Sequence, residues 1–119
     1  IEPCGFPWKE KAINRVALDY GAQVTPQRHS SWDAFLAAPI RRQGRLILLS
    51  TKANLPLSSI AIKPGDIFVL GQESAGVPAQ IAAACDLQAT IPLAASARSL
   101  NVAITGAIAL AEARRQVGY

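Results

Sequence analysis

The sequence predicts an α/β fold, in which a mainly parallel β-sheet carries helices on both of its faces. The first observation is a pair of continuous apolar runs, Arg45–Ser50 and Ile67–Leu70, without the alternation of a half-exposed strand. Such runs are typical of strands that are buried on both faces of a parallel sheet. The second observation is that strand-like and helix-like segments alternate along the chain, which favours parallel pairing through helical crossovers.

The composition indicates a folded protein with a substantial core. The chain has 119 residues, of which 50% are hydrophobic and 17% are charged. We therefore expect residues 1–119 to form a single domain. So few charged residues also suggest that a partner subunit covers part of the apolar surface. The net charge of +4 is compatible with a polyanionic partner, although many basic proteins bind no nucleic acid.

The cysteines and the hydropathy pattern indicate a cytoplasmic protein without a metal site. Cys4 and Cys85 are far apart and belong to no cluster of cysteines and histidines. That pattern is typical of reduced thiols in the cytosol. No apolar run approaches the roughly 20 residues that cross a bilayer, so we expect no membrane association. The chain contains no Met and opens on what reads as the end of a strand, which suggests that further residues precede Ile1.

The first third of the chain predicts two helices with a short strand between them. A helical apolar stripe predicts a helix at Pro7–Tyr20, and a strand at Gln23–Thr25 follows it. A second helix is expected at Trp32–Ala38. Either Ser30 or Ser31 is its expected N-cap, because a hydroxyl there accepts a hydrogen bond from the first turn.

The rest of the chain predicts the centre of the fold. After the first two apolar strands, the predicted elements are a helix at Val77–Cys85, a strand at Gln88–Ile91 and a long helix at Leu100–Gln116. Ligands of open α/β sheets bind beyond the carboxyl ends of the strands. The loops that follow the strands are therefore the candidate site for a small molecule.

The first candidate loop, Gly71–Gly76, directly follows a buried strand. It is neither a phosphate-binding loop nor a dinucleotide fingerprint, because Val77-Pro78 replaces the required Lys-Ser/Thr and the glycine spacing differs. Gly71 would let a ligand approach the backbone closely, and Glu73 could accept hydrogen bonds from it. A tight strand-to-helix turn with a solvated Glu73 explains the same residues about equally well.

The second candidate loop precedes the long C-terminal helix, so Ser99 or Asn101 is its expected N-cap. Capping is the preferred interpretation, although the amide of Asn101 could also bridge to a substrate. Arg98 is either a bidentate phosphate ligand or a solvated loop residue. His29 is the only histidine, and we interpret it as a loop residue without a catalytic role because no carboxylate adjoins it in the sequence.

Basic residues near the strand at Arg45–Ser50 are candidates for contacts with nucleic acid. Arg41 and Arg42 belong to the densest basic cluster, which is either a solvated surface or the flank of a nucleic-acid groove. Lys52 follows the small hydroxyl residues at the other end of the strand. It suits either a crevice wall or an ordinary loop exit.

Taken in order, these motifs resemble those of the α/β-knot (SPOUT) RNA methyltransferases. The resemblance is closest to the small single-domain tRNA 2′-O-methyltransferases that modify the wobble nucleotide, cytidine or uridine 34, and it covers essentially the whole chain. It rests on seven segments, namely Ile1–Trp8, Leu18–Tyr20, Arg28–His29, Phe68–Pro78, Ile91–Pro92, Arg98–Asn101 and Gln116–Tyr119. Each segment alone is a weak signal, but their joint order is specific.

The resemblance implies a deep trefoil knot at the C-terminus, S-adenosyl-methionine as the cofactor, tRNA as the substrate and a homodimer as the active form. It assigns cofactor binding to residues at the strand ends: Leu49, Gly71, Gly76, Ile91, Leu93, Ser99 and Leu100. It assigns catalysis to Glu73, Arg98 and Asn101. Contacts with RNA are expected at Arg41, Arg42, Lys52 and Arg98.

The implied reaction transfers a methyl group from a sulfonium to a ribose 2′-oxygen. The family's first strand and first motif, whose Arg assists the 2′-hydroxyl, are missing ahead of Ile1. We therefore expect either that residues precede Ile1 or that this chain is not fully active. Ala103 stands where a Ser often occurs in the family, so no hydroxyl contact is expected there.

Three alternatives stay open on the sequence. The first is a catalytically silent knot protein that binds RNA or the cofactor. The second is a 2′-O-methyltransferase that acts on another tRNA position or on ribosomal RNA. The third is a generic doubly wound nucleotide-binding domain.

Overall fold

The computed structural model describes residues 1–3, 25–71 and 76–118. The predicted helix at Pro7–Tyr20, as well as Cys4 and Glu73, lies outside these residues. The chain divides into two units, Ile1–Arg41 and Arg42–Tyr119. No helix in the described segments is long and apolar enough to cross a membrane.

The described part of the first unit is organised around helix α1, Trp32–Ala37. Ser31 is its N-cap, since the Ser31 hydroxyl accepts a hydrogen bond from Ala34 N at 3.0 Å. This confirms one of the two predicted caps. Phe35 is buried, and its ring lies 5.3 Å from the His29 ring and 5.2 Å from the Trp32 ring. His29 is therefore part of a small aromatic cluster, in keeping with a packing role.

The second unit contains a three-stranded parallel sheet with the order β2-β1-β3. Its strands are β1 (Leu46–Leu49), β2 (Ile67–Leu70) and β3 (Leu87–Ala89). Leu46 pairs with Ile67, and Leu49 pairs with both Leu70 and Ala89. All three strands therefore end at one edge of the sheet. The parallel sheet confirms the predicted fold class at this level.

Two helices belong to the second unit: α2 (Ala79–Ala84) and α3 (Val102–Val117). Short 3-10 helices lie at Pro39–Gln43, where the two units adjoin in sequence, and at Leu57–Ser59. The connection between β1 and β2 therefore contains a helical turn. The predicted strand at Gln88–Ile91 begins one residue earlier and ends at Ala89. The sequence predicted a strand at Gln23–Thr25, of which the structure describes only Thr25. Thr25 belongs to no strand.

The core lies on the face of the sheet that carries Ile47 and Leu49. These side chains form one cluster with Ala109 of α3 and with buried residues of the β1–β2 connection: Leu57, Ile60 and Ile62. Alternate residues of a strand point to opposite faces. Leu46 and Leu48 therefore face the other side of the sheet, where they are also buried.

An ion pair joins β1 to the residues just before β2. The Arg45 guanidinium donates to both Asp66 carboxylate oxygens, at 3.0 and 2.6 Å, and to the carbonyl of Ala61 at 2.8 Å. The Asp66 side chain is only 3% exposed. The hydrogen bond from Arg45 lowers the pKa of Asp66 below its ordinary value, and the charge of Arg45 acts in the same direction. Asp66 is thus an ionised acceptor at neutral pH.

Candidate functional site

A cavity in the described part of the second unit opens at the carboxyl edge of the sheet. Its volume is about 760 Å³. Ligand pockets usually have volumes of roughly 300–1,000 Å³. The cavity lies at this edge because Leu49, Leu70 and Ala89 end side by side and each chain segment then turns away. This is the position at which parallel sheets bind ligands.

The cavity wall combines apolar side chains with hydroxyl groups and two cations. All seven residues predicted to bind a cofactor lie in this wall: Leu49, Gly71, Gly76, Ile91, Leu93, Ser99 and Leu100. Lys52 and Arg98, both predicted to contact RNA, lie there too. None of the described wall residues is acidic. The wall therefore offers an apolar slot and a positively charged rim.

Gly71 directly follows β2, at a point where another segment of backbone passes very close. A Cβ atom on Gly71 would lie 2.8 Å from the Gly76 carbonyl carbon and 2.7 Å from Val77 Cγ2. The space beside Gly71 is therefore filled by the chain itself, whereas the sequence suggested that it was kept free for a ligand. Gly76 has φ of +67°, a conformation that glycine adopts readily. Both glycines shape the rim through the backbone.

Asn101 begins helix α3 and is not one of the wall residues. Its Oδ1 atom accepts a hydrogen bond from Ala103 N at 2.8 Å. Its carbonyl oxygen accepts from Thr105 N at 2.9 Å and from the Thr105 hydroxyl at 3.1 Å. This confirms Asn101 as the N-cap, and Ser99 is not the cap. The neighbouring residues Leu100 and Val102 face the cavity.

Two further predicted site residues, Arg41 and Arg42, are not among the wall residues of the cavity. Arg42 precedes β1, which places it at the amino edge of the sheet, opposite the cavity. Arg41 is the last residue of the first unit. Glu73 lies outside the described residues, so its role rests on the sequence alone.

Sequence reasoning missed several polar wall residues, in particular Gln88, Thr90 and Thr105. Thr90 follows β3 directly and is held by two backbone hydrogen bonds, to Leu55 and Leu57. Thr105 could have been predicted from the sequence, because it stands four residues after the N-cap and its hydroxyl can reach the Asn101 carbonyl. Gln88 was more weakly indicated, since it is the only polar residue of β3.

Metal chemistry finds no support among residues 1–3, 25–71 and 76–118. No group of three or more His, Cys, Asp or Glu side chains in those segments could hold a metal ion. The thiol of Cys85 is half-buried and donates to the Ile81 carbonyl at 3.3 Å. Ile81 lies in α2 and Cys85 directly follows this helix, so the contact is a local one at the helix end.

Known proteins with similar sequences and structures are RNA methyltransferases. The tRNA (cytidine(34)-2′-O)-methyltransferase of Beijerinckia indica subsp. indica is 48% identical over 118 residues, covering 99% of this chain and 74% of that protein. A solved structure described as giving structural insights into the 2-OH methylation of C/U34 on tRNA matches with a TM-score of 0.84 and 34% identity, covering 98% of this chain and 71% of that one.

A more distant solved structure is that of the SpoU methyltransferase AviRb from Streptomyces viridochromogenes in complex with the cofactor AdoMet. It matches with a TM-score of 0.60 and 27% identity, covering 71% of this chain and 34% of that one. The SpoU rRNA Methylase family matches residues 1–111. The parallel sheet, the cavity at its carboxyl edge and these matches agree, and the chain belongs to the SpoU rRNA Methylase family.

Proposed function

We propose that this protein is a cytoplasmic, S-adenosyl-methionine-dependent methyltransferase that modifies the ribose 2′-hydroxyl of the wobble nucleotide of tRNA. The observation that carries the proposal is the cavity at the carboxyl edge of the sheet, with its apolar slot and cationic rim. The 48% identity to a tRNA (cytidine(34)-2′-O)-methyltransferase supports this choice of nucleotide.

The residues of the cavity suit the proposed cofactor. An adenine ring needs an apolar slot with backbone hydrogen-bond partners, and Leu49, Ile91 and Leu100 offer the apolar part. Gly71, Gly76 and Ser99 bring backbone groups to the same wall, and Leu93 extends its apolar surface. When bound, S-adenosyl-methionine supplies a methyl group attached to a positively charged sulfur.

The chain's own polar residues would prepare the acceptor. A ribose 2′-hydroxyl is a poor nucleophile until its proton is removed or its oxyanion is stabilised. Arg98 is one of the two cations in the cavity wall and is exposed, and we assign this task to it. We assign Glu73 as a hydrogen-bond acceptor for the substrate. The side-chain NH₂ of Asn101 would orient the ribose, while its oxygen caps α3.

The positive rim would hold the phosphates that flank the target nucleotide. Lys52 and Arg98 lie at the cavity, so they would make the phosphate contacts adjacent to the reacting ribose. Arg41 and Arg42 would contact more distant phosphates. Arg45 belongs to the same cluster in the sequence, but it is engaged by Asp66 and Ala61 and is not part of this proposal.

We propose that the active form is a homodimer assembled through α3. The outward side of this helix is strongly apolar: Ile104, Ile108, Leu110 and Val117 are exposed, with Leu110 at 60%. A helix that is apolar on nearly all sides is usually buried. A second copy of the chain would present the same apolar surface, and two such surfaces can pack against each other without pairing charges.

We also propose that the C-terminal segment forms the trefoil knot of α/β-knot proteins, with helices on both faces of the sheet. Contacts between the last helix and the β1–β2 connection support a threaded arrangement. The Gln116 side chain bonds to Ile60 and Ile62 of that connection.

The test is methyl transfer from labelled S-adenosyl-methionine to unmodified tRNA, followed by nucleoside analysis. We expect label in the 2′-O-methyl nucleoside at position 34. Label at another tRNA position or in ribosomal RNA would mean that the enzyme acts on that nucleotide and not on position 34 of tRNA. Binding of S-adenosyl-homocysteine without transfer would indicate a silent relative or a chain that needs additional residues, and no binding at all would refute the proposed cofactor site.

A further inference from the structure

The side chain of Gln116 links the end of α3 to the backbone of the β1–β2 connection. Its Oε1 atom accepts a hydrogen bond from Ile62 N at 2.9 Å, and its Nε2 atom donates to the Ile60 carbonyl at 3.0 Å. The amide thus pairs with both groups of an extended segment in the way that a neighbouring strand would. This is a long-range link, since 54 and 56 residues separate the partners.

Both partners of this link are themselves held in place. The Gln116 Nε2 atom also donates to Glu112 Oε1 at 2.7 Å. Hydrogen bonds from Arg115 and Gln116 lower the pKa of Glu112 to about 2, so the carboxylate is ionised and can only accept. It therefore fixes which end of the amide faces the helix. On the opposite edge of the connection, Arg45 holds the Ala61 carbonyl at 2.8 Å.

The side of α3 that meets the sheet and its connection carries small residues, namely Gly106, Ala109 and Ala113. A Cβ atom on Gly106 would lie 3.3 Å from Leu70 Cδ1, so the Leu70 side chain of β2 packs directly against the helix backbone. Small residues give α3 shallow ridges on this side, so few of its own side chains reach into grooves of the sheet. The hydrogen bonds of Gln116 therefore add a specific constraint on the axial position of the helix.

We propose that Gln116 is a positioning residue that fixes α3 along its axis and thereby sets the shape of the cavity wall at residues 98–105. Val102 and Thr105 of α3 line the cavity, as do Arg98, Ser99 and Leu100 just before it. The helix is continuous from Val102 to Val117. Val102 and Gln116 are about 21 Å apart along the axis, and a rigid helix transmits an axial shift over that length. The inference rests on the proposed cofactor site.

The experiment compares two variants with the wild type by titration with S-adenosyl-homocysteine at 10 °C, where circular dichroism verifies folding. Gln116→Leu keeps the size of the side chain and removes both hydrogen bonds to the connection. We expect it to bind at least about tenfold more weakly, which corresponds to about 1.4 kcal/mol. Gln116→Asn keeps the amide but is one methylene shorter, so the bonds can re-form only if α3 moves. It should bind more weakly than the wild type while unfolding at a higher temperature than Gln116→Leu.

The matched control is Arg115→Gln on the same turn of α3. The Arg115 side chain is 66% exposed and pairs with Glu112 within the helix, so the variant removes one support of Glu112 but keeps both hydrogen bonds from Gln116 to the connection. This variant should bind S-adenosyl-homocysteine with the wild-type Kd. Hydrogen exchange adds a readout that needs no ligand: peptides covering residues 98–105 should exchange faster in both Gln116 variants and at the wild-type rate in the control.

The outcomes separate this inference from the proposed function. Wild-type affinity and wild-type exchange at residues 98–105 in the Gln116 variants, with only a lower unfolding temperature, would overturn the positioning role. If Gln116→Leu does not fold, the affinity and the hydrogen exchange of Gln116→Asn decide whether the positioning role holds. If the wild type itself binds no S-adenosyl-homocysteine, the proposed function fails, and the exchange data still decide whether Gln116 positions the helix.

Discussion

Gly71 is a cavity-wall residue at which the backbone leaves no room for a side chain. A Cβ atom there would overlap the Gly76 backbone, with 2.8 Å to its carbonyl carbon. We expect Gly71→Ala to displace residues 76 and 77 at the cavity rim and to weaken S-adenosyl-homocysteine binding about tenfold or more. Overpacking of this kind also costs about 1–3 kcal/mol of stability. Calorimetric titration and urea unfolding measure the two effects.

Gly106→Ala is the matched control for that substitution. The new methyl group would lie 3.3 Å from a Leu70 side-chain atom, which can yield by a small rotation. Glycine within a helix is less favourable than alanine by about 1 kcal/mol. The control should therefore bind the ligand normally and be at least as stable as the wild type. Unchanged binding in Gly71→Ala would mean that the rim near Gly76 does not contact the cofactor.

Arg98 is the wall residue whose charge matters most for the substrate. We expect Arg98→Ala to reduce kcat/KM for tRNA much more than affinity for S-adenosyl-homocysteine, because the guanidinium is assigned to RNA. If it neutralises one phosphate, its removal should lower the slope of log affinity for tRNA against log salt by about 1. Filter binding at several salt concentrations measures the slope. Equal losses of cofactor and tRNA affinity would contradict this role.

At the scale of elements, the Arg45–Asp66 pair fixes β1 against the residues that begin β2. Asp66 accepts from the guanidinium and also from Lys63 N, at 2.8 Å. Its folded pKa is lowered, so its contribution to stability is complete above about pH 4 and is lost as the pH falls through the folded value. The pair should therefore stabilise the fold at neutral pH but not in strong acid.

The corresponding substitution is Asp66→Asn, which resembles the protonated aspartic acid. We expect it to lower the free energy of unfolding by about 1.5–3 kcal/mol at pH 7, the usual range for hydrogen bonds to charged groups. The difference from the wild type should shrink as the pH falls below about 4. Urea unfolding at pH 7 and pH 3 checks both statements. A difference that is the same at both pH values would show that the charge of Asp66 is not the cause.

The elements that the sequence predicted best are those defined by local patterns. The apolar runs predicted β1 and β2 to within a residue at each end, and Ser31 and Asn101 were among the predicted caps. The 3-10 turn at Leu57–Ser59 was missed, because one buried leucine among polar residues and a proline makes no periodic pattern.

Contacts between distant parts of the chain were beyond the reach of local patterns. The links from Gln116 to Ile60 and Ile62, like the pair of Arg45 with Asp66, depend on tertiary placement that no spacing in the sequence encodes. The wall of the cavity was nevertheless predictable, because the carboxyl ends of parallel strands share one edge and the loops that follow them must meet there.

At the scale of the whole molecule, the most prominent surface is the outward side of α3. Leu110 is 60% exposed and Ile104 52%, and between them lie Ala107 and Ile108, also exposed. Contiguous apolar surface of this kind is uncommon on monomers and marks an interaction site. The helix ends in two basic residues, Arg114 and Arg115, so a polar rim borders the apolar centre at one end. Interfaces commonly have this arrangement.

A charge on this surface should separate the proposed dimer into monomers. Leu110→Glu would place a carboxylate where it loses water on association without gaining a partner, a cost of several kcal/mol. Leu110 is not one of the cavity-wall residues, so a dissociated variant tests whether the second copy is needed for activity. Sedimentation velocity should give a dimer for the wild type and a monomer for the variant, and tRNA methylation should fall with dimerisation.

Leu55→Glu is the control, since Leu55 is also an exposed apolar residue but lies in the β1–β2 connection. It should remain dimeric and fold normally. If Leu110→Glu stays dimeric, the interface lies elsewhere and the apolar side of α3 needs another occupant. If it becomes monomeric but methylates tRNA at the wild-type rate, each site is complete within one chain. Loss of S-adenosyl-homocysteine affinity in the monomer would instead indicate that assembly through α3 holds the cavity wall at residues 98–105 in its binding shape.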